Sequence, residues 1–359
     1  LPISFTSVKE SGLILSSVEN SELTYEKKHE LNIGAEIGFI DNRINIEADW
    51  YTRNNFDLIG LIYTKGTGGQ LAKFANVASM KSSGVEFTVS TRNIKTKDFS
   101  WNTDFIFSHT KNEVTDLQSN ASVMDMISGN GFAMEGYPVR ALFSMDFQGL
   151  NENGYPTFIN EKGQLTVSDI NFQEQLKKDH LVYEGPTDPT MTGSLGNIFR
   201  YKGFTLNAFI TYSFGNVIRL DPVFHNVYSD LDAMPREFIN RWTTGGDEKV
   251  TNVPVIADKR ANQQDPYLSY AYNAYNYSTE RIAKGDFIRM KELSLSYNFP
   301  KKMISRLKVN DLSLKIQATN LFLIYSDKKL NGQDPEFFNT GGVASPVPRQ
   351  FTLTLRLGI

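Results

Sequence analysis

The side chains through which this sequence could do chemistry are four histidines, forty acidic residues and a tyrosine-rich tract. His29, His109, His180 and His225 are widely spaced, with no His-x-His or His-Glu-x-x-His pattern, so a metal site or a triad would need tertiary clustering. Cysteine is absent, which excludes disulfides, thiolate metal sites and a Cys nucleophile. Neither Gly-x-x-x-x-Gly-Lys-Ser/Thr nor Gly-x-Gly-x-x-Gly occurs, and the Gly66 to Gly69 stretch "GTGG" reads as a loop tip. The carboxylate pairs Asp230/Asp232 and Asp247/Glu248 lie in polar segments. A glycosidase would need such a pair at fixed separation across a cleft, and here they read as solvated loop acids. "DPEFFNTGG", Asp334 to Gly342, reads as turn chemistry. The remaining candidates are aromatic. Trp242 and the tyrosines Tyr267, Tyr270, Tyr272, Tyr275 and Tyr277 could stack on sugar rings or pack on a peptide. Equally, they could pack their own loop or grip a partner lid. No catalytic, cofactor-binding or metal-ligating residue is expected, and no enzyme.

Composition narrows the class. The chain has 359 residues and a net charge of -3, so nothing suggests nucleic-acid binding. Mean hydropathy is -0.34, yet the aromatic fraction is 12%, high for so polar a chain. No run of 18 or more apolar residues is present to form a membrane-spanning helix. The start, "LPISFTSVKESG", shows no signal peptide and no Met, as expected of a processed product, a fragment or half of a split protein.

The elements that must position those aromatics have a period of two. "LNIGAEIGF" sets Leu31, Ile33, Ala35, Ile37 and Phe39 against Asn32, Gly34, Glu36 and Gly38. "RINIEADW", "GVEFTVST", "WNTDFIFS", "FTLNAFITYSF", "ELSLSYNF" and "DLSLKIQA" repeat the pattern. The chain ends on "RQFTLTLRLGI", where Phe351, Leu353, Leu355, Leu357 and Ile359 share one face. About eleven strands are expected, with short turns near Ile40 to Asn42, Ile94 to Lys97, Asn151 to Gly154 and Tyr201 to Gly203. Long polar connections are expected at 57–80, 114–138, 161–189, 219–285 and 326–348, with a short helix around 231–242.

Two architectures bury such strands. A soluble, secreted glycan-binding β-sandwich hides the apolar face between two sheets and keeps its loops short. A transmembrane barrel turns that face to lipid and the polar face to a lumen, with short turns at one end and long loops at the other. Glu36, Glu47, Asp49, Asp104, Lys315 and Arg356 on the polar faces suit a wet lumen, and the unequal connections favour the barrel. An unpaired strand edge is intolerable in hydrocarbon, so the terminal strand, Phe351 to Ile359, is expected to be the seam of the barrel.

Several stretches together resemble the SusC/RagA family of TonB-linked outer-membrane transporters from Bacteroidetes. They are "LNIGAEIGFIDNRINIEADWYTRNNFDLI", "MKSSGVEFTVSTRNIKTKDFSWNTDFIFSHTKNEV", "EGYPVRALFSMDFQGLNENGYPTF", "GSLGNIFRYKGFTLNAFITYSFGN", "GDFIRMKELSLSYNFPKKM" and "LKIQATNLFLI…LNGQDPEF…PVPRQFTLTLRLGI". The resemblance runs through nearly the whole chain in order, and departs at Ile359, where the family commonly ends on an aromatic residue. It implies a plugged barrel of twenty-two strands, so that residues 1–359 would be the C-terminal half of the barrel, without the plug and the early strands. It further implies TonB-dependent import of oligosaccharides or oligopeptides with no cofactor. Expected partners are a SusD-like surface lipoprotein lid, TonB through the missing N-terminal region, and the N-terminal half of the same barrel. Outer-membrane lipid, the barrel assembly machinery and a second copy of the complex complete that set. The location implied is the bacterial outer membrane, with the C-terminus on the periplasmic side.

Overall fold

A computed structural model describes residues 2–5, 10–13, 20–63, 72–118, 121–228, 234–305, 309–338, 346 and 348–358. Nine long strands form one continuous antiparallel sheet: β1 Lys27–Phe39, β2 Ile44–Tyr63, β3 Ala72–Lys95, β4 Phe99–Leu117, β5 Met191–Tyr201, β6 Phe204–Phe214, β7 Phe287–Asn298, β8 Asp311–Ser326 and β9 Gln350–Gly358. Each strand pairs with its neighbour in sequence, so the topology is an uninterrupted meander. The sheet counts nine strands among the described residues against about eleven expected. A separate hairpin pairs Pro2–Phe5 with Glu10–Leu13 outside it.

The period-two pattern fixes which face is which. Register aligns Leu206 of β6, Leu295 of β7, Ile316 of β8 and Leu353 of β9 in one lateral row. All four are exposed, as are Leu31, Ile33, Ile37, Phe39, Trp50, Phe87 and Phe105 on the same face of the other strands. A soluble sandwich would cover this face with a second sheet. Among the described residues no second sheet covers it. A contiguous apolar face of this size is stable only against lipid or another apolar surface.

The opposite face is polar. Glu36 stands directly across from Glu47, and Asp49 from Glu86. Ser90 donates to Asp104 at 2.7 Å, and Lys315 lies 3.7 Å from Glu292. Like carboxylates in opposed positions repel unless water screens them, which fits a wet interior.

Connections alternate in length as the sequence suggests. Residues 40–43, 96–98, 202–203 and 299–310 join consecutive strands at one end, where Lys301–Ile304 adds a helical turn. Gly358 pairs with Asp311, so the last strand finishes at that same end. At the other end, 118–190, 215–286 and 327–349 span long distances. The segment 57–80, expected as an irregular loop, is instead mostly paired strand. β2 and β3 climb to Tyr63 and Ala72, with register shifts around Leu58 and Asp57 in the left-handed region. The apolar run Leu58 to Tyr63 carries a strand signal, but it lacks strict alternation and the register shifts within it.

Close packing of strands is locked by tyrosines. The Tyr212 hydroxyl on β6 reaches across β5 to donate to the Ile106 carbonyl of β4 at 2.8 Å. It passes over Gly193, where a Cβ would fall 2.1 Å from that carbonyl oxygen. On the inner face the Tyr51 hydroxyl meets the Thr110 hydroxyl at 2.7 Å.

Two neighbouring substitutions on β9 separate the faces. In lipid vesicles, Leu353→Arg should destabilise the folded protein by about 2–4 kcal/mol, the cost of a cation on the lipid face. Thr354→Arg, facing the interior, should leave denaturant midpoints nearly unchanged. Equal losses at both positions would contradict the assignment of faces.

Candidate functional site

The long connections do not hang free above the sheet. Two of them, 118–190 and 215–286, fold into a shared body with its own apolar core, and that body is the candidate site. Residue types explain how each piece is held. Ser122 caps helix α1, Val123–Ile127, through a reciprocal pair: the Asp125 amide donates to Ser122 Oγ, and the Ser122 amide to Asp125 Oδ2. This turns Val123, Met126 and Ile127 inward. Two Asx turns shape the adjoining meander, in which Asn151 accepts from the amides of Asn153 and Tyr155, and Asn160 from those of Lys162 and Gln164. Asp258 caps helix α2, Lys259–Gln264. Helix α3, Leu268–Asn276, lies within the tract "PYLSYAYNAYNY", and the expected helix at 231–242 is a 3-10 turn at Arg236–Asn240.

Helix α3 divides the candidate aromatics by its 3.6-residue period. Leu268, Ala271, Tyr272 and Tyr275 form the buried stripe at i, i+3, i+4 and i+7. Tyr272 and Tyr275 are each 1% exposed and pack inside the loop body itself. The Tyr272 hydroxyl donates to the Val255 carbonyl, and the Tyr275 ring meets Phe147 and Phe224 edge-on. Burial raises the pKa of both phenols, so they stay neutral. Tyr277 is half-buried, with the Arg219 guanidinium 5.8 Å from its ring centre. Trp242 is half-buried too. Its ring fills the space above Gly154, which has φ +77 and where a Cβ would come within 2.5 Å of the indole. Its indole N–H donates to Glu248 at 3.2 Å. These two residues therefore brace the loop body more than they present themselves.

Tyr267 and Tyr270 remain, 61% and 44% exposed. Their rings lie 5.8 Å apart, and Phe172, which no local pattern singles out, meets Tyr270 edge-on at 6.0 Å. Tyr267 and Tyr270, at the start of helix α3, make an outward aromatic ledge with Phe172 beside them. Leu176, at 89% exposed, belongs to the same connection as Phe172.

Three buried arginines, also missed, hold these connections together, and one of them, Arg289, does so from a long strand. Arg219 donates to the carbonyls of Ser278 and Phe143 and to the Ser144 hydroxyl. Desolvation lowers its pKa to about 10, which leaves it charged at neutral pH. Glu184 is raised by desolvation, with Ser144 and Arg219 pulling the other way. Arg281 pairs with Glu237, and Arg289 of β7 pairs with Asp334 and lies 3.1 Å from Glu336. That last pair fastens the "DPEF" turn, where Asp334 also accepts from the Glu336 amide. A cation inside an apolar run, as in "NVIRL" and "GDFIRM", was the available signal.

The loop carboxylates are structural. Asp247 accepts from the amide and hydroxyl of Thr243 and from the Thr244 amide, which hold it below the usual carboxylate range. Glu248 is likewise lowered, first by its own backbone amide and then by Trp242. A general acid would need the opposite shift. Asp230, Asp232 and the "GTGG" stretch lie outside the described residues, as does Ile359. Among the described residues no three His, Asp or Glu side chains gather to hold a metal ion.

No family model matches the chain. TonB-dependent receptor P3 of Formosa agariphila is 24% identical over 340 residues, covering 91% of this chain and 32% of the receptor. TonB-dependent receptor SusC of Bacteroides thetaiotaomicron is 26% identical over 357 residues, 95% of this chain and 32% of its own. Among solved structures, the RagAB peptide transporter superposes with a TM-score of 0.77 at 22% identity, over 99% of this chain and 38% of that one, a likeness of fold. The chain thus spans about a third of the length of the curated relatives it matches.

Tyr272→Ala should cost about 3–5 kcal/mol and open the loop body to proteases, as large-to-small core changes do. Tyr267→Ala should stay within about 0.5 kcal/mol. Limited proteolysis with denaturant melts would reveal a reversed order. The sign of the pH response also follows. Asp247 binds protons less readily when folded, so its contribution is full above the ordinary aspartate pKa and fades as pH falls through the depressed folded value. Hydrogen exchange at the Thr243 and Thr244 amides, corrected for intrinsic rate, should accelerate on that descent in the native chain. It should already be fast and flat in Asp247→Ala.

Proposed function

We propose that this chain, a member of the TonB-dependent receptors of the SusC type, forms the C-terminal part of the barrel wall of an outer-membrane importer. The remaining barrel strands, the plug and the TonB-contacting region would lie elsewhere in the assembly. The observation that carries the reading is the uncovered apolar face of a nine-stranded meander, in a sequence whose relatives are TonB-dependent receptors over more than nine-tenths of its length. Lipid would cover that face, the polar face would line the lumen, and the exposed backbone edges of β1 and β9 would pair with strands outside the described sheet. β9, with Phe351, Leu353, Leu355 and Leu357 outward, would close the seam.

Function follows from the two ends. Short turns mark the periplasmic end in barrels of this kind, which would put Gly358 and the C-terminus in the periplasm. The loop body would face outside and shape the chamber in which an oligopeptide or oligosaccharide is held beneath a SusD-like lipoprotein lid. The RagAB likeness favours peptide, and the SusC relationship leaves glycan open. No bond is made or broken in such a cycle. Work would come from TonB pulling on the plug, and this chain would supply wall, polarity and aromatic contact.

Uptake tests the reading. In the intact importer, Tyr267→Ser with Tyr270→Ser should cut uptake of labelled ligand or retention of the lid at least about fivefold, as losing a contact of more than ~1 kcal/mol requires. Barrel assembly should be unchanged. Native extraction should require detergent and bring along plug peptides and a lipoprotein lid. A chain recovered monodisperse without detergent would overturn the proposal.

A further inference from the structure

The inner, polar face of the sheet is divided by charge. Register joins Lys95 of β3 to Arg200 of β5 through Ser100, and carries that row on through Thr205 and Ser296 to Lys315 of β8. The next inward row starts at Arg92, opposite Asn102, and runs on to Gln317 and Thr352. Among the described residues these two rows hold four cations and no acid. Arg356 of β9, opposite Ser313, extends the basic side. The three inward rows beyond them hold six carboxylates: Asp104 with Glu292, Glu36 with Glu47, and Asp49 with Glu86. The cation in register with those acids, Arg289, is already taken by Asp334 and Glu336.

The two signs occupy different sectors of the wall. Lys95 and Arg200 stand beside the short turns 96–98 and 202–203, so the basic rows border that end of the lumen. On β1 and β2 the acidic rows run down almost to the turn at 40–43. Lys95, Arg92 and Arg200 are exposed, and among the described residues none of them makes an ion pair. Lys95 and Arg200 are two strand spacings apart, about 10 Å. Gathering like charges raises the self-repulsion of a wall that alternating signs would relieve. Water screens that cost, and a partner of opposite sign removes it.

Width argues for a partner. About eight strands enclose an interior that their own side chains just fill. Here nine strands still leave the edges of β1 and β9 unpaired, so the closed wall is wider. Its inner side chains cannot meet across the lumen, and the cations must find their counter-charges elsewhere.

Resting on the importer reading, we propose that the plug docks on this wall by charge, with an acidic surface against Lys95, Arg92 and Arg200 beside the short turns. The wall supplies only cations there, so the carboxylates come from the plug. Ion pairs of this kind are exposed, and each is weak and screened by salt. A plug that TonB must pull aside and that must return is served by such contacts, where a dry apolar interface would hold it fast.

The test uses the intact protein containing this chain. A carbodiimide condenses a lysine amine with a carboxylate in direct contact, and peptide mass spectrometry identifies both ends. Lys95 should couple to an Asp or Glu of the plug. Lys95→Arg, which keeps the charge but offers no amine, should lose that product. The triple variant Lys95→Glu, Arg92→Glu, Arg200→Glu should raise resting conductance in planar bilayers about tenfold, at roughly twofold for each exposed pair lost. No coupling of Lys95 to the plug, coupling only within residues 1–359, or native conductance in a triple variant that folds would each overturn the proposal. Heat-modifiable migration on gels reports folding, and the coupling in native protein decides the matter if the variant does not fold. Plug peptides that co-purify but never couple to Lys95 sink only the docking surface, whereas their absence from detergent extracts sinks the importer reading with it.

Discussion

A peptide group that leaves water must find a partner, and in hydrocarbon there is no solvent to supply one. Everything else in this molecule depends on that constraint. A meander in which each strand pairs with its sequence neighbour satisfies almost every backbone group locally, and leaves unpaired edges only along β1 and β9. Because the ladder carries the polar bonding, side chains are free to sort by face. The outward face can be mostly apolar, and the inward face can hold opposed carboxylates such as Glu36 and Glu47 that would be costly in a dry core.

The same constraint shapes the ends. Short turns return the chain without adding mass, so one rim is little more than turns, cations and rings. The other rim carries the long connections, and there the chain is back in water and must build a core of its own. It does so with small, tightly capped pieces around Phe158, Phe224, Tyr272 and Tyr275. Arg219 and Arg281 tie pieces of that body to one another through carbonyls and a carboxylate, and Arg289 of β7 holds the 327–349 connection through Asp334. A buried arginine with its partner removed leaves an uncompensated charge, so these links are costly to break. A ledge such as Tyr267 and Tyr270 gains its use from a packed base, since an aromatic pair on a loose loop would lose its gain to ordering entropy.

The strands were legible because their period is two and nearly unbroken. The last strand shows this best, since the alternation from Phe351 to Leu357 survives intact in its register with β8. The hairpin from 57 to 80 was harder to read, because its apolar run Leu58 to Tyr63 does not alternate strictly and its register shifts around Leu58. The loop aromatics fell between. Reading "PYLSYAYNAYNY" as a polar tract overlooked that Leu268, Ala271, Tyr272 and Tyr275 repeat at helical spacing, which is why two of its tyrosines are core and two are surface. Phe172 could not have been found from sequence, because its partner Tyr270 is nearly a hundred residues away and no local pattern links them. Strand number was legible only approximately, since short strands of the loop body resemble barrel strands until their pairing is known.

The most direct measurement of the central claim, that one face of this sheet meets lipid and the other water, is a paired cysteine scan. The chain contains no cysteine, so each introduced thiol is its only one. In the intact protein in native membranes, Leu206→Cys, Leu295→Cys, Ile316→Cys and Leu353→Cys should resist a water-soluble maleimide. A fluorophore placed there should be quenched by brominated lipid. Asn207→Cys, Ser296→Cys, Lys315→Cys and Thr354→Cys should label readily and escape quenching. Uniform labelling of both sets, with no lipid quenching, would contradict the account.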